Sequence, residues 1–227
     1  MTKKSSLEYA TEISGKNGMY DYLSREADSI RINKILEMIG SGKKVLDLGC
    51  YNGVIGEKIL RNNNVVYGVD GSEEAIHAAM RRGIVGFICD LESELKFEDN
   101  FFDVVFAGEV IEHILDTELF IKEVRRVLKK GGHLVLTTPN AASLGRRLLL
   151  LFGKNPYFEA SFNLEQRAAG HVRFFIKSLL LNFIERNGFK IIQFESDIVN
   201  FSSFYFKFLA TIFPNLGKSL IVKSQKL

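Results

Sequence analysis

Short β-like runs alternate with helical stretches between residues 45 and 137. The strand candidates are Val45–Leu48, Val65–Val69, Val85–Cys89, Val104–Ala107 and Leu134–Thr137. The intervening stretches with helical periodicity are Val54–Arg61, Glu73–Arg82 and Leu119–Leu128. Gly131-Gly132 favours the end of the last of these helices. Because strands that alternate with helices form right-handed βαβ units, the pattern predicts an α/β fold with a doubly wound, mostly parallel sheet.

The chain is predicted to form a single domain over residues 1–227, because this length with 46% hydrophobic residues is enough for one sizeable core. Residues 20–139 are expected to form the ligand-binding core, which begins with an N-terminal helix over Tyr20–Ile39. Residues 140–175 break the alternation and predict a helical insertion or lid. Residues 176–227 are expected to complete the sheet.

The insertion contains a leucine-rich helix candidate over Leu144–Phe152, for which a lid packed against the domain is favoured over a helix lying on a membrane surface. Beyond it, the alternation resumes with a helix over Ile176–Arg186 and a strand over Phe189–Phe194. The last stretch contains no Asp or Glu, and its aromatic residues are expected mainly in the final strands of the sheet. These residues are Phe201, Phe204, Tyr205, Phe206, Phe208 and Phe213.

The most informative turn follows the first predicted strand, where Gly49-Cys50-Tyr51-Asn52-Gly53 leads into a helix. In a doubly wound sheet, ligands bind at the carboxyl ends of the strands. Gly49 and Gly53 would let the backbone approach a ligand closely, because they carry no Cβ atom. An ordinary strand-to-helix turn is the alternative interpretation of these two glycines.

Acidic residues lie at the ends of the first three predicted strands, at Asp47, Asp70 and Asp90. Asp70 is placed to accept hydrogen bonds from two ribose hydroxyls, and Asp90 to accept one from an adenine amino group. A dinucleotide site would require G-x-G-x-x-G, whereas the spacing here is G-x-x-x-G. A carboxylate at Asp47 would repel a pyrophosphate and attract an ammonium group. The loop therefore favours S-adenosylmethionine over a dinucleotide, and a dehydrogenase is disfavoured.

At this point the chain resembles the class I S-adenosylmethionine-dependent methyltransferases, and among them the ubiquinone-pathway O-methyltransferases. The resemblance covers about residues 20–195, and its motifs are Asp47-Leu48-Gly49-Cys50 through Gly53, Tyr67-Gly68-Val69-Asp70, Phe102-Asp103-Val104-Val105 and Leu128-Lys129-Lys130-Gly131-Gly132. It implies a seven-stranded, Rossmann-like methyltransferase fold. The cofactor-binding residues it implies are Asp47, Gly49, Cys50, Gly53, Asp70, Gly71, Asp90, Leu91, Gly108 and Glu109. One departure is Tyr51, where the family usually has glycine.

A second candidate site follows the fourth predicted strand, in Glu109-Val110-Ile111-Glu112-His113. If a helix begins at Glu109, then Glu109, Glu112 and His113 share one face at the ligand end of the sheet. His171 follows the insertion, in a segment that the resemblance places over the substrate.

Three interpretations of this cluster stay open. The acidic residues could simply form a solvated helix start near the positive end of the helix dipole, with His113 packed inside. Alternatively, His113 or His171 is the general base for a hydroxyl acceptor. In the third interpretation Glu109, Glu112, His113 and His171 bind a divalent metal such as magnesium. The E-x-x-E-H spacing with a later histidine resembles small-RNA 2′-O-methyltransferases and the ubiquinone-pathway enzymes, which use such a metal.

The expected reaction is methyl transfer to a hydroxyl of a small-molecule, quinone-like, glycan or lipid-linked acceptor. An RNA ribose 2′-hydroxyl is the alternative acceptor, disfavoured because no dense basic patch or RNA-binding module is present. A non-catalytic S-adenosylmethionine-binding protein is the alternative from another class. The intact Asp47, Asp70 and Asp90 argue against it.

Composition bounds the environment and the partners. The net charge of +3 neither requires nor excludes an anionic partner, and no feature indicates an obligate protein partner. Cys50 and Cys89 lack C-x-x-C spacing, so a disulfide framework or zinc site is not expected and a reducing cytoplasm is. We expect neither a signal peptide nor a spanning helix. Peripheral membrane contact through Leu144–Phe152 or the basic, aromatic C-terminal stretch is a further expectation.

Overall fold

A computed structural model describes residues 26–156, 170–201 and 204–227. Its strands are β1 (Lys44–Leu48), β2 (Val65–Asp70), β3 (Val85–Ile88), β4 (Phe102–Gly108), β5 (Leu128–Pro139), β6 (Phe189–Glu195), β7 (Val199–Phe201), β8 (Phe204–Phe206) and β9 (Ser219–Lys226). Seven of them form one sheet in the order β3-β2-β1-β4-β5-β9-β6, and β7 pairs with β8 separately. Strands β1 to β5 pair in parallel, which confirms the predicted doubly wound sheet.

Helices connect the strands close to the predicted positions. They are α1 (Glu26–Ile39), α2 (Val54–Leu60), α3 (Glu73–Met80), α4 (Thr117–Val127), α5 (Leu144–Leu151), α6 (Lys177–Arg186) and α7 (Lys207–Ile212), with 3₁₀ turns over Ile111–His113 and Pro214–Leu216. Part of the predicted N-terminal helix, residues 20–25, lies outside the described residues, as do residues 157–169 of the insertion.

The sheet has a hydrophobic core on each face, because side chains of a strand alternate between the two sides. In β4, Val105 and Ala107 belong to one core, whereas Val104 and Phe106 belong to the other. Helices α4 and α6 cover the first face, and α1, α2 and α3 cover the second. This three-layer arrangement leaves the carboxyl ends of the parallel strands as the edge at which the predicted ligand loops meet.

The last strand of the sheet lies inside it. β9 runs antiparallel between β5 and β6. Its Val222 lies opposite Leu136 of β5 on one side and opposite Phe194 of β6 on the other. Its side chains Leu220, Ile221 and Val222 are buried. The sheet is therefore completed by aliphatic residues of β9.

The prediction that the C-terminal aromatic residues complete the sheet is wrong. Tyr205 and Phe206 lie on the β7–β8 hairpin, and Phe208 lies on α7. All three are exposed, and so is Phe213 just after α7. The side chains of Phe201 and Phe204 lie outside the described part of the chain. The buried side chains at the centre of this part of the sheet come instead from the aliphatic residues of β9, between β5 and β6.

One further local expectation is wrong, and another stays open. Gly131-Gly132 does not end a helix, because α4 ends at Val127 and Leu128 already pairs with Phe102 as part of β5. A Cβ on Gly132 would lie 3.1 Å from the Asp103 carbonyl oxygen, so this glycine allows two strands to approach closely. The leucine-rich helix α5 packs against β7 although none of its residues is fully buried, and its role as a lid stays a prediction. Among the described residues, no helix is long and apolar enough to cross a bilayer.

Candidate active site

The β1–α2 loop is fastened to the end of β2 by backbone hydrogen bonds. The Gly49 and Cys50 amides donate to the Val69 carbonyl oxygen, at 2.8 and 3.0 Å. Gly49 has a φ of 69°, and a Cβ there would lie 2.6 Å from the Val110 side chain. Gly53 has a φ of 78° and begins α2. Both glycines therefore form a tight, closely packed turn at the carboxyl end of the sheet, and the close approach of a ligand to them stays a prediction.

Asp70 connects this loop to the next one. Its carboxylate accepts hydrogen bonds from the Tyr51 amide and the Ser72 amide, both at 2.9 Å, and one from the Gly71 amide. Burial raises the pKa of Asp70, while the three amides oppose that rise. The residue predicted to bind ribose is thus already positioned by the loops around it.

Tyr51, at the position where the resemblance implies glycine, adopts a backbone conformation that glycine favours. Its φ is 46°, in the left-handed region that L-residues rarely occupy. Such a conformation costs roughly 1–2 kcal/mol for a residue with a side chain. The hydrogen bond from its amide to Asp70 helps to offset that cost. The loop therefore accommodates a tyrosine at this position, with its amide bonded to Asp70.

Asp47 is buried in β1 beside the loop, with its Oδ2 atom lacking a hydrogen-bond partner among the described residues. Burial, together with the nearby Asp70 carboxylate, raises the pKa of Asp47 to about 8. The neighbouring Cys50 thiol is buried against Gly68, and burial raises its pKa well above the usual range. A cationic group brought to this point would satisfy Asp47, and the predicted ammonium contact stays a prediction.

The other predicted cofactor residues lie around the same edge. Leu91 is buried beside the Gly49 loop, and Asp90 is exposed two residues beyond the end of β3. Asp90 Oδ1 accepts a hydrogen bond from the Glu92 amide, so it is held in a turn. Gly108 ends β4 opposite Thr137. Their contacts with a cofactor stay predictions.

The prediction of a helix beginning at Glu109 is wrong. Glu109 has a φ of 56°, which interrupts the chain between β4 and a single 3₁₀ turn over Ile111–His113. Its Oε1 atom accepts a hydrogen bond from Thr137 Oγ1 at 2.9 Å, and its Oε2 atom lies 3.6 Å from Arg31 Nη1. Glu109 is therefore held by α1 and β5, not aligned with Glu112 and His113 on one helical face.

The structure brings together three of the four predicted metal-binding residues. One ligand atom each from Glu112, His113 and His171 lies within 4.8 Å of the other two, and the cluster does not include Glu109. The two imidazole rings meet edge to face with centroids 4.8 Å apart. Although 58 residues apart, the segments are joined because the amides of Val172 and Arg173 donate to the Glu112 carbonyl oxygen.

Burial controls the charges of this cluster. Glu112 is 1% exposed, and burial with the nearby Glu109 raises its pKa well above the ordinary value. Its Oε2 atom accepts a hydrogen bond from Thr138 Oγ1 at 2.9 Å, while Oε1 has no partner among the described residues. Burial lowers the pKa of His113, and it lowers that of His171 to about 3. Both imidazoles are thus neutral near pH 7, and His171 is a poor proton acceptor.

Sequence reasoning missed the polar residues that hold the two glutamates. Arg31 is 4% exposed on α1, where Asp28 Oδ1 accepts a hydrogen bond from it at 3.0 Å. Thr137 and Thr138 end β5 and donate to Glu109 and Glu112. An arginine directly between two isoleucines of a predicted helix is a signal that could have identified Arg31. No sequence signal distinguishes Thr137 and Thr138 from other threonines in a strand.

Comparison with known families identifies the chain. Residues 21–194 match the family described as "Methyltransferase domain", which covers most of the chain. The chain belongs to this methyltransferase family. The match confirms the resemblance drawn from the motifs around Asp47 and Asp70, and S-adenosylmethionine is the methyl donor of the enzyme class.

Solved structures show that this methyltransferase has the fold of its family. An S-adenosylmethionine-dependent methyltransferase from Thermotoga maritima superposes with a TM-score of 0.70 at 19% identity, covering 98% of this chain and 100% of that one. The N-methyltransferase NodS from Bradyrhizobium japonicum, bound to S-adenosyl-L-homocysteine, gives a TM-score of 0.68 at 15% identity, covering 98% and 99%. At these identities the likeness concerns the fold.

Sequence relatives of the methyltransferase include ubiquinone biosynthesis O-methyltransferases. The mitochondrial protein of Rattus norvegicus is 36% identical over 123 residues, which is 50% of this chain and 36% of the relative. The protein of Coxiella burnetii strain Dugway 5J108-111 is 32% identical over 117 residues, 49% of this chain and 50% of the relative. The chain therefore spans about a third to a half of the length of these relatives.

Proposed function

We propose that this methyltransferase transfers the methyl group of S-adenosylmethionine to a hydroxyl of a quinone-like small molecule. The observation that carries the proposal is the Glu112–His113–His171 cluster, which lies beside the cofactor loop. Val110, one residue after Glu109 and two before Glu112, packs directly against Gly49 of that loop. The similarity to ubiquinone biosynthesis O-methyltransferases over half of the chain supports an oxygen acceptor.

In this reaction the acceptor oxygen forms a bond to the methyl carbon as the carbon–sulfur bond breaks, and the electron pair of that bond stays on sulfur. The acceptor loses its hydroxyl proton. The loop residues Gly49 and Asp70 orient the cofactor, so that the methyl group faces the acceptor. In this proposal His113 of the cluster is the group that accepts this proton when no metal is bound.

The cluster also fits a divalent cation. Glu112 Oε1 is buried and lacks a hydrogen-bond partner among the described residues, which leaves a carboxylate oxygen for a cation to satisfy. The neutral imidazoles of His113 and His171 are ligands for such an ion. A bound divalent cation would lower the pKa of an acceptor hydroxyl nearby. Thr138 holds Glu112 from behind, as partners of metal ligands commonly do.

Methyl transfer to a panel of catechols, quinols and amines tests the acceptor class. We expect a product methylated on oxygen for a phenolic acceptor, with and without added Mn²⁺ or Mg²⁺ measured in parallel. Methylation of amines alone would contradict the oxygen acceptor, while leaving the family assignment intact.

Chelation and the Glu112→Gln substitution test the cation. We expect excess chelator to abolish turnover, and Glu112→Gln to weaken Mn²⁺ binding in calorimetry by about ten-fold or more. Glu98→Gln on the exposed surface is the matched control, and it should change neither turnover nor Mn²⁺ binding. S-adenosylmethionine should bind all three proteins equally. Full activity in excess chelator would eliminate the cation and leave His113 as the general base.

A further inference from the structure

An exposed apolar face is formed by helix α5 with the residue after it and by the β7–β8 hairpin with α7. Eight large side chains of this face, counting Phe213 just after α7, are between 43% and 75% exposed: Leu150, Leu151, Phe152, Tyr205, Phe206, Phe208, Ile212 and Phe213. Strand β7 packs against both α5 and α7, so the two groups belong to one region of surface. Gly145 makes this contact close, since a Cβ there would lie 3.1 Å from the Asn200 carbonyl oxygen.

The extent of this apolar face is unusual for a protein surrounded by water. Leu151, Phe152 and Phe208 are each more than 70% exposed, at 75%, 72% and 75%. At roughly 100 Å² for each half-exposed large side chain, the face presents on the order of 800 Å² of apolar surface. The largest apolar patch on a typical monomer is about 300–600 Å², and larger patches mark interaction sites.

The charge of the two segments indicates what covers the face. Neither residues 144–156 nor residues 198–227 contain an Asp or Glu. Four cationic side chains lie in α5, just after it or at the start of α7, namely Arg146, Arg147, Lys154 and Lys207. A second copy of this chain would bring the same positive charge to a two-fold contact, where it would repel itself. Anionic lipid headgroups are complementary to this charge, and the acyl boundary accepts aromatic and leucine side chains.

The face also lies next to the candidate active site. The Ala141 amide, three residues before α5, donates to the Phe175 carbonyl oxygen at 2.8 Å. Phe175 in turn follows His171 by four residues, in the segment fastened to Glu112. We propose that this apolar face docks the protein on an anionic lipid bilayer, with the active-site edge of the sheet next to the membrane. This inference does not depend on the acceptor or on the cation.

Vesicle binding tests the proposal with the full chain and without any substrate. Vesicles of phosphatidylcholine with about 30% phosphatidylglycerol should bind the protein at about 0.05 M NaCl, and binding should weaken several-fold at about 0.5 M NaCl. Pure phosphatidylcholine vesicles should bind it more weakly. Phe152→Glu and Phe208→Glu should each lower binding to anionic vesicles about ten-fold, because each puts a carboxylate into the headgroup region.

Leu179→Glu is the matched control, because Leu179 is 53% exposed on α6, a helix that packs against β6 and is not part of the face. It should bind vesicles like the wild type, and circular dichroism should show that all three variants keep the fold. Absence of binding to anionic vesicles at low salt would overturn the proposal, as would an equal loss in Leu179→Glu. A concentration-dependent dimer that Phe208→Glu abolishes, without vesicle binding, would assign the face to a second copy and also overturn it.

Discussion

Replacing Asp47 by asparagine should stabilise the cofactor-free protein while weakening its hold on S-adenosylmethionine. The Asp47 carboxyl is buried beside Asp70, and its pKa is raised from 3.8 to about 8. Between these two pH values the folded state binds a proton that the unfolded chain has lost. The free energy of unfolding therefore falls as the pH rises through this interval. The amide of Asp47→Asn does not titrate, so the variant escapes this loss.

The size of the effect follows from the pKa difference. Each unit is worth about 1.36 kcal/mol, so the contribution of Asp47 to the cost of folding reaches up to about 4 kcal/mol at pH 7. At pH 5 it is only about 1–2 kcal/mol. The difference in unfolding free energy between Asp47→Asn and wild type should therefore grow by about 2.6 kcal/mol from pH 5 to pH 7. Burying the asparagine amide changes the stability of the variant by the same amount at every pH, so it does not affect how the difference depends on pH.

Urea denaturation of both proteins without cofactor, at several pH values from 5 to 8, measures this slope. Glu112 titrates in both proteins and cancels in the difference. If the ammonium of S-adenosylmethionine contacts Asp47, calorimetry in buffers of different ionisation enthalpy should show proton release on binding to the wild type and none for the variant. A pH-independent difference in stability would refute the buried, protonated carboxyl.

Two other substitutions separate cofactor contacts from packing. Asp70→Ala should weaken S-adenosylmethionine binding by roughly 2–3 kcal/mol in titration calorimetry, because hydrogen bonds to a carboxylate are strong. Asp103 is the control, because its carboxylate accepts a hydrogen bond from the Lys44 amide at the opposite end of the sheet, and Asp103→Ala should lower only the melting temperature. Equal affinity of the two variants would remove Asp70 from the site. Gly49→Ala should destabilise the protein by about 2–4 kcal/mol, whereas Gly42→Ala, with a similar φ of 67° and open space around it, should cost about 1 kcal/mol. Chemical denaturation compares them, and equal costs would show that the contact with Val110 is unimportant.

The parts of the fold that follow from local pattern were predictable. Residues Val104 to Ala107 alternate between two cores, and the helices on either side have matching apolar stripes. The spacing of apolar residues therefore predicts both the strand and its burial. The loop at Gly49 and Gly53 was predictable for the same reason. Positive φ values and a contact with Val110 require residues without a side chain.

The geometry of the candidate site was less predictable, because it depends on contacts distant in sequence. Glu109 leaves the helical register because Thr137 and Arg31 hold its carboxylate, and both come from other elements. The placement of His171 against His113 depends on backbone hydrogen bonds across the insertion. The fate of the C-terminal aromatic residues depended on which segment pairs with β5, and pairing between distant strands leaves little trace in local periodicity.

The position of β9 has a consequence for the order in which the protein is made. Residues 219–226 fill the gap between β5 and β6, so the emerging polypeptide has no complete sheet until these residues have left the ribosome. Until then β5 and β6 each present an open edge, to which an extended segment of another nascent chain can pair. The need for chaperones during synthesis should therefore last until residues 219–226 have paired with β5 and β6. A chain truncated before residue 219 should aggregate even though its cofactor loop is intact.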